Sequence, residues 1–247
     1  MSIPPDYLIE RKRNFKKLTK WRLITFALII LLFGMFGKNY LPQNEMTSKV
    51  SFPGKGSYIA SIKIDDIILD DLPRIRKIAA IEKDKAVKAV IVHLNSQGGS
   101  VVGSEMLYNA FLKLSKEKPV VMVMDSVAAS GGYMAALAGD YIIAHNGTIT
   151  GSIGVIMQSA EVTGLAEKVG VKFNNFKSDE LKASPNPTEK LTPEARRATM
   201  ESIHNVYDYF IEIVAERRKL DLNYVRKIAD GRIYSGRQAL ELKLIDA

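Results

Sequence analysis

Cysteine is absent from the 247 residues. That excludes a disulfide framework, a thiolate metal site and a cysteine nucleophile. Histidine occurs three times, at His93, His145 and His204, which leaves few imidazole bases. There is no internal repeat and no low-complexity tract. What is present is apolar material: 47% of residues are hydrophobic and 25% charged, enough for a packed core and too much for a chain that is mainly disordered. The length suits one large domain or two small ones.

The formal net charge is +8, and it is unevenly placed. Residues 1–22 carry +5, from Arg11, Lys12, Arg13, Lys16, Lys17, Lys20 and Arg22 against Asp6 and Glu10. Residues 38–247 carry only +3 and show no basic stripe interleaved with aromatics, so nucleic acid is not an expected partner.

Behind the basic run, residues 23–37 form fifteen positions without a charge. A bilayer core needs roughly 20 residues with a lower limit near 17, and Trp21, a snorkelling Arg22 and Lys38 bring the stretch into that range. It is not amphipathic, as a buried core helix at the domain surface would be, and its exit lacks the small-x-small pattern of a cleaved secretory signal. The expectation is an uncleaved transmembrane signal anchor over 21–38. By the positive-inside rule the tail 1–20 is cytoplasmic and residues beyond 38 lie on the far side of the membrane. Residues 39–57, with Pro42, Pro53, Gly54 and Gly56, read as a linker.

From residue 58 to 247, β-rich runs alternate with helical periodicity, which predicts a single layered α/β domain. Strands are expected at 58–64, 89–94, 120–124, 141–144 and 172–176. Helices are expected over 70–84 (Leu72, Ile75, Ile78 and Ala79 on one face), 104–117 (Met106, Leu107, Ala110, Phe111 and Leu114), 131–138, 191–219, 223–229 and 235–242.

Chemistry is expected where buried strands end in glycine-bearing turns. The first is Leu94-Asn-Ser-Gln-Gly-Gly-Ser100, whose exposed N–H groups suit an oxyanion; no Gly-Lys-Ser/Thr follows, so it is not a phosphate loop. The second is Asp125-Ser-Val-Ala-Ala-Ser-Gly-Gly-Tyr133, in which Ser130 sits at a strand-to-helix turn either as a nucleophile or as an N-cap. The third, Thr148-Ile-Thr-Gly-Ser-Ile-Gly154, carries three hydroxyls. A nucleophilic serine needs a base. His93 lies within a strand and His204 within a helix, so His145 is the one imidazole available, without an orienting carboxylate nearby in sequence. The other route is a lysine made neutral by burial, and the pattern alone does not select which.

These segments resemble the signal peptide peptidase A family, the SppA-type Ser–Lys peptidases. The resemblance runs from about Tyr58 to the C-terminus. It rests on Asn95-Ser-Gln-Gly-Gly99, Ala128-Ala-Ser-Gly-Gly-Tyr133, Thr150-Gly-Ser-Ile-Gly-Val155, and Lys177-Ser178 with Lys182 before Asn186-Pro187. It ends with Ala229-Asp-Gly-Arg-Ile-Tyr-Ser-Gly236 and Ala239-Leu-Glu-Leu-Lys-Leu-Ile-Asp246. It implies a crotonase/Clp-like layered α/β fold of repeated β-β-α units, preceded by one transmembrane helix. It implies Ser130 as nucleophile, Lys182 as general base, Ser152 as the hydroxyl orienting that lysine, and Gly99 and Gly131 as oxyanion donors, with Gly98 an alternative to Gly99. No cofactor and no metal are implied.

The resemblance further implies peptide substrates such as remnant signal peptides in or near the bilayer, a ring-like homo-oligomer, and residence in the inner membrane of a bacterium with the catalytic domain periplasmic. Alternatives are a protease of another membrane-associated substrate, such as a stomatin-like partner, or a non-catalytic scaffold of the same fold. The chain departs from the family's pattern at Gln97, where proline is usual, and at Asp179, where glycine is usual. Lys177 is the competing base. The chain stops at Ala247, where relatives of that family continue, as expected of a short member or a truncated chain. A Clp-type triad would need histidine about twenty-five residues after the serine, where Val155 stands, and a crotonase needs no serine there.

Overall fold

The computed structural model describes Trp21, Thr25, residues 48–51 and residues 56–247. Of the expected membrane anchor only Trp21 and Thr25 are described; both are helical, and the Thr25 hydroxyl donates to the Trp21 carbonyl at 2.9 Å. The basic tail and the rest of the anchor lie outside the described residues. Among the described residues no helix is long and apolar enough to cross a membrane.

Residues 45–247 form one compact unit. Its frame is a seven-stranded sheet built from β1 (Ser48–Ser51), β2 (Tyr58–Ile68), β3 (Val87–Gly99), β4 (Val120–Ala129), β5 (Tyr141–Ala144), β6 (Ile149–Gly151) and β7 (Ile233–Ser235). Strands β2, β3 and β4 are parallel neighbours. Strand β4 then serves two partners: Val121–Met124 pair with β5, and Val127–Ala129 with β6, both in parallel. The antiparallel strands β1 and β7 lie on β2 and β6. Four residues of the stretch read as a linker are thus paired into the sheet.

Period-two alternation supplies the sheet's core face. Ile62, Val92, Met122 and Ile142 stand in one register row across β2, β3, β4 and β5, and all four are buried. Helices α1 (Leu72–Lys83), α2 (Val101–Glu117), α3 (Gly131–Ala136), α4 (Thr163–Lys168), α5 (Pro193–Arg218), α6 (Leu222–Ile228) and α7 (Gly236–Glu241) complete the unit. Helix α2 contributes Leu107, Phe111 and Leu114 to the core, as its 3.6-residue spacing predicts, each worth about 1.5–3 kcal/mol of burial. Asp71, Ser100, Thr192, Asp221 and Ser235 each cap a helix by accepting a backbone N–H three residues on. The order β-β-α occurs at β1-β2-α1 and at β5-β6-α4, while β3-α2 and β4-α3 are single β-α steps.

Two local expectations are corrected. Residues 172–176 are not a strand: Phe173 and Phe176 are exposed, and among the described residues no neighbouring strand supplies a ladder. The face of α1 is narrower than its periodicity implies, because only Ile78 is buried and Leu72 is exposed. Strands β3 and β4 also outrun their apolar stretches by five residues each, which carries them directly into the glycine-bearing turns.

Candidate active site

Ser130 stands between the end of β4 and the start of α3. Its φ of 51° and ψ of −121° form a conformation that a non-glycine residue holds at a cost of about 1–3 kcal/mol. The backbone is committed on both sides: the N–H donates to the Gly151 carbonyl at 2.9 Å, and the carbonyl accepts from the Met134 N–H at 2.9 Å. The side chain makes no capping hydrogen bond, so the N-cap alternative for this serine does not hold. Its half-buried hydroxyl is left for another use at a helix N-terminus, where partial positive charge accumulates.

Helix α3 is held from behind. Tyr133 is fully buried, and its hydroxyl donates to the Leu244 carbonyl at 2.7 Å; burial pushes the phenol well above its ordinary pKa. At the far end, Arg217 donates to the carbonyls of Leu137 at 2.7 Å and Gly139 at 3.0 Å. The turn bearing Ser130 therefore rests on a short helix anchored at both ends.

The two adjacent-glycine pairs pack into each other. A Cβ on Gly98 (φ 100°) would stand 2.7 Å from the Gly131 nitrogen and 3.1 Å from the Ser130 Cβ. A Cβ on Gly99 would stand 1.8 Å from the Ile68 carbonyl oxygen, and one on Gly131 2.0 Å from the Ser104 Oγ. The backbones approach closely because side chains are missing.

The donor directions follow. Gly98 donates its N–H to the Ser96 Oγ at 3.1 Å. Ser100 donates its N–H to the Ile68 carbonyl at 2.9 Å, toward β2. Gly99 pairs with Ile68 of β2, next to the point where Gly98 meets Ser130 and Gly131. Gly131 is the first residue of α3, and its N–H has no intrahelical partner. The Gly98 N–H is thus already engaged by Ser96.

Ser152 reaches the same place by register. Ala128 pairs with Thr150 and Ala129 with Gly151, so Ser130 and Ser152 leave adjacent parallel strands side by side. Ser152 has φ 48°, and its N–H donates to the Arg232 carbonyl at 2.8 Å. Thr150, fully buried beneath it, donates to the Ala128 carbonyl at 2.7 Å.

The lysines separate. Lys177 Nζ is paired with the Glu189 carboxylate, which also accepts from Asn175 and Asn186. Lys177 first, then the two amides, hold the Glu189 carboxyl below its usual pKa. That ion pair engages the Lys177 Nζ with Glu189 rather than with Ser130. Lys182 lies on an exposed turn, its N–H donating to the Asp179 carbonyl at 3.0 Å. Among the described residues, no hydrogen bond or ion pair engages its Nζ, and none joins it to Ser130 or Ser152. The structure therefore brings together Ser130, Ser152, Gly98, Gly99 and Gly131, and among the described residues no hydrogen bond joins Lys182 to them.

The histidines lie elsewhere. His93 Nδ1 is 3.5 Å from Asp125 Oδ1 on β3 and β4, while His145 and His204 are exposed and make no side-chain hydrogen bond to Ser130. Among the described residues no cluster of His, Asp or Glu is placed to hold a metal ion. Two buried serines were not singled out from sequence: Ser96, which bonds Gly98, and Ser104, which lies against Gly131. Their signal was polar residues at positions where the strand and helix periods demand burial.

Residues 112–247 match the model of peptidase family S49. This range includes Ser130, Gly131, Ser152 and Lys182 and begins after Gly98 and Gly99. A putative protease of Methanocaldococcus jannaschii is 40% identical over 179 residues, covering 72% of this chain and 55% of the relative. A putative signal peptide peptidase SppA of Enterococcus faecium is 40% identical over 167 residues, 67% of this chain and 48% of the relative. A putative protease of Synechocystis is 40% identical over 164 residues, 66% and 59% respectively. The chain spans about half the length of these curated relatives.

Proposed function

Because the chain belongs to peptidase family S49, we propose that it is a membrane-anchored serine endopeptidase of crotonase/Clp-like fold that uses a Ser130–Lys182 dyad. The observation that carries this reading is Ser130 itself, held at positive φ with no capping hydrogen bond from its hydroxyl, against the side-chain-free backbones of Gly98 and Gly131.

In the proposed reaction the Ser130 Oγ bonds to the peptide carbonyl carbon while its proton passes to the neutral Lys182 amine. The N–H groups of Gly99 and Gly131 receive the oxyanion. Lysine returns the proton to the leaving nitrogen as the C–N bond breaks, leaving an acyl ester on Ser130. Water then adds to that ester, and Lys182 takes its proton. Collapse to the carboxylic acid returns the proton to Ser130. Ser152, beside Ser130, orients the lysine amine as a hydroxyl that does not trap its proton.

Apolar peptide substrates, remnant signal peptides among them, are supported by a wall of exposed Ile67, Leu69, Leu72, Val101 and Val102 next to the Gly98–Gly99 turn. The basic and apolar segments of residues 1–38 support an anchor with the catalytic unit beyond the inner membrane of a bacterium. A ring-like homo-oligomer is supported by the arm of residues 156–181, where Ile156, Leu165, Val169 and Phe176 (97% exposed) lack cover. The free Nζ of Lys182, just beyond that arm, supports a dyad shared between neighbouring copies.

The test is hydrolysis of a fluorogenic peptide with small or apolar residues before the cut, by the full chain in detergent. Wild type should cleave, and Ser130→Ala and Lys182→Ala should not. Wild-type rates in either variant remove the dyad. An inert but folded, oligomeric wild type favours a scaffold.

A further inference from the structure

Ser96 is 1% exposed, and its hydroxyl is used in two directions. It donates to the Asp66 carbonyl, and it accepts the Gly98 N–H at 3.1 Å. Asp66, at φ 65°, stands in the register break of β2 against β3 between Asp65 and Ile67. A bulged residue drops out of the ladder, so its carbonyl needs a partner from elsewhere. Gly98, at φ 100°, is likewise outside the regular ladder geometry. One hydroxyl serves both, using its single donor and one of its two acceptor sites. The Ser96 carbonyl also lies 2.5 Å from where a Cβ on Gly132 would stand, so Ser96 abuts the first turn of α3 as well.

We propose that Ser96 is the positioning residue of the oxyanion hole: by bridging the Asp66 carbonyl and the Gly98 N–H, its hydroxyl sets the turn that aims the Gly99 N–H at the reaction centre. The proposal rests on the peptidase reading above. Ser96 does not touch the substrate. Glycine at φ 100° has wide conformational freedom, and nothing in its own side chain holds it. Removing the hydroxyl leaves the buried Gly98 N–H and the part-buried Asp66 carbonyl without this partner, and the turn can rotate to recover others. A donor misaimed by a fraction of an ångström loses most in the transition state, where charge accumulates on the oxygen. The loss therefore falls on kcat rather than KM.

The experiment compares wild type, Ser96→Ala, Ser96→Cys and Ser130→Ala, each as the full chain in detergent. Peptide hydrolysis, thermal unfolding and inhibition by a peptide boronic acid, which forms a tetrahedral adduct on a serine nucleophile, are measured. Ser96→Ala should lower kcat about 10- to 100-fold with KM within twofold, and should weaken boronate affinity by a similar factor. Ser96→Cys retains the size and a weaker donor and acceptor, and should fall between the two. If Ser96→Ala does not fold, the cysteine variant decides by the same split.

A folded Ser96 variant with wild-type kcat, or one whose KM alone changes, overturns the proposal while Ser130→Ala remains inactive and the peptidase reading stands. A loss of kcat without a loss of boronate affinity overturns it as well. An inert, folded wild type overturns the peptidase reading and this one together, a pattern distinct from the others.

Discussion

Ser130 and Ser152 stand at matching positions one residue beyond two paired parallel strands, and both adopt positive φ, 51° and 48°. Two adjacent serines in conformations that favour glycine are costly together, about 1–3 kcal/mol each. The cost persists because the ladder between β4 and β6 and the hydrogen bonds from the Ser130 N–H to Gly151 and from the Ser152 N–H to Arg232 leave no other path for the chain.

Ser130→Gly should relieve that strain and raise the free energy of unfolding by about 1 kcal/mol, after the glycine's own entropy cost. Ser130→Ala keeps the strain and should leave stability unchanged. Both should lose hydrolysis by about 10,000-fold or more, as for removal of a serine nucleophile. Denaturant titration alongside the peptide assay checks this, and a Ser130→Gly variant less stable than wild type counts against strain at this turn.

Lys177 and Lys182 should behave oppositely. Lys177→Ala frees the Glu189 carboxylate and loosens the arm, with hydrolysis reduced by less than about tenfold. Lys182→Ala should abolish it. If the dyad is shared between copies, mixing inactive Lys182→Ala with inactive Ser130→Ala should restore part of the activity after subunit exchange. No recovery, despite exchange shown by a tagged subunit, assigns both residues to one copy.

Gly131→Ala should destabilise by about 1–3 kcal/mol through overpacking, because its Cβ meets the buried Ser104 Oγ and Cβ at 2.0 and 2.8 Å. Ser104→Gly alone costs about 0.5 kcal/mol in helix propensity. The double variant should be more stable than the sum of the two losses allows, with a coupling of about 1–2 kcal/mol in a double-mutant cycle. Strict additivity by thermal unfolding rules out this contact as the reason for glycine at 131.

Asp246 ties the last residues to the core. Arg218 binds it through a two-pronged contact at 3.1 and 2.9 Å, and the Ile142 N–H donates to it at 2.8 Å. Burial pushes its carboxyl up, but the Arg218 and Ile142 hydrogen bonds outweigh that and hold it below the usual carboxylate value. A depressed folded pKa gives stability that is present above the unfolded value, near 4, and is lost as pH falls through the folded one. Asp246→Asn should therefore cost about 1–2 kcal/mol at pH 7, and its deficit should shrink below about pH 4. A deficit independent of pH removes the ion pair as its source.

Much of this protein was legible in the order of its residues. The apolar runs at 89–94 and 120–124 declare buried strands because both faces of a parallel sheet's centre shed water. The Ser-Gly-Gly after β4 declares a tight strand-to-helix turn because only small residues permit it. Periodicity over 107–114 declares the buried face of α2 for the same hydrophobic reason. By contrast, 172–176 is expected as a strand and is none, since a ladder requires a partner that local pattern does not encode.

Only the tertiary structure decided which groups are spoken for. Gly98 and Gly99 are equivalent in sequence, yet a hydroxyl from Ser96 engages the N–H of Gly98. Lys177 and Lys182 are the same residue type five positions apart, yet Glu189 claims the first. Ser130 and Ser152 are twenty-two residues apart and meet because β4 and β6 pair in one register and not the next. Composition and spacing determine what a segment can form, because they act through nearest neighbours and burial. Which donor is free, and where it points, depends on long-range pairing that no single segment contains.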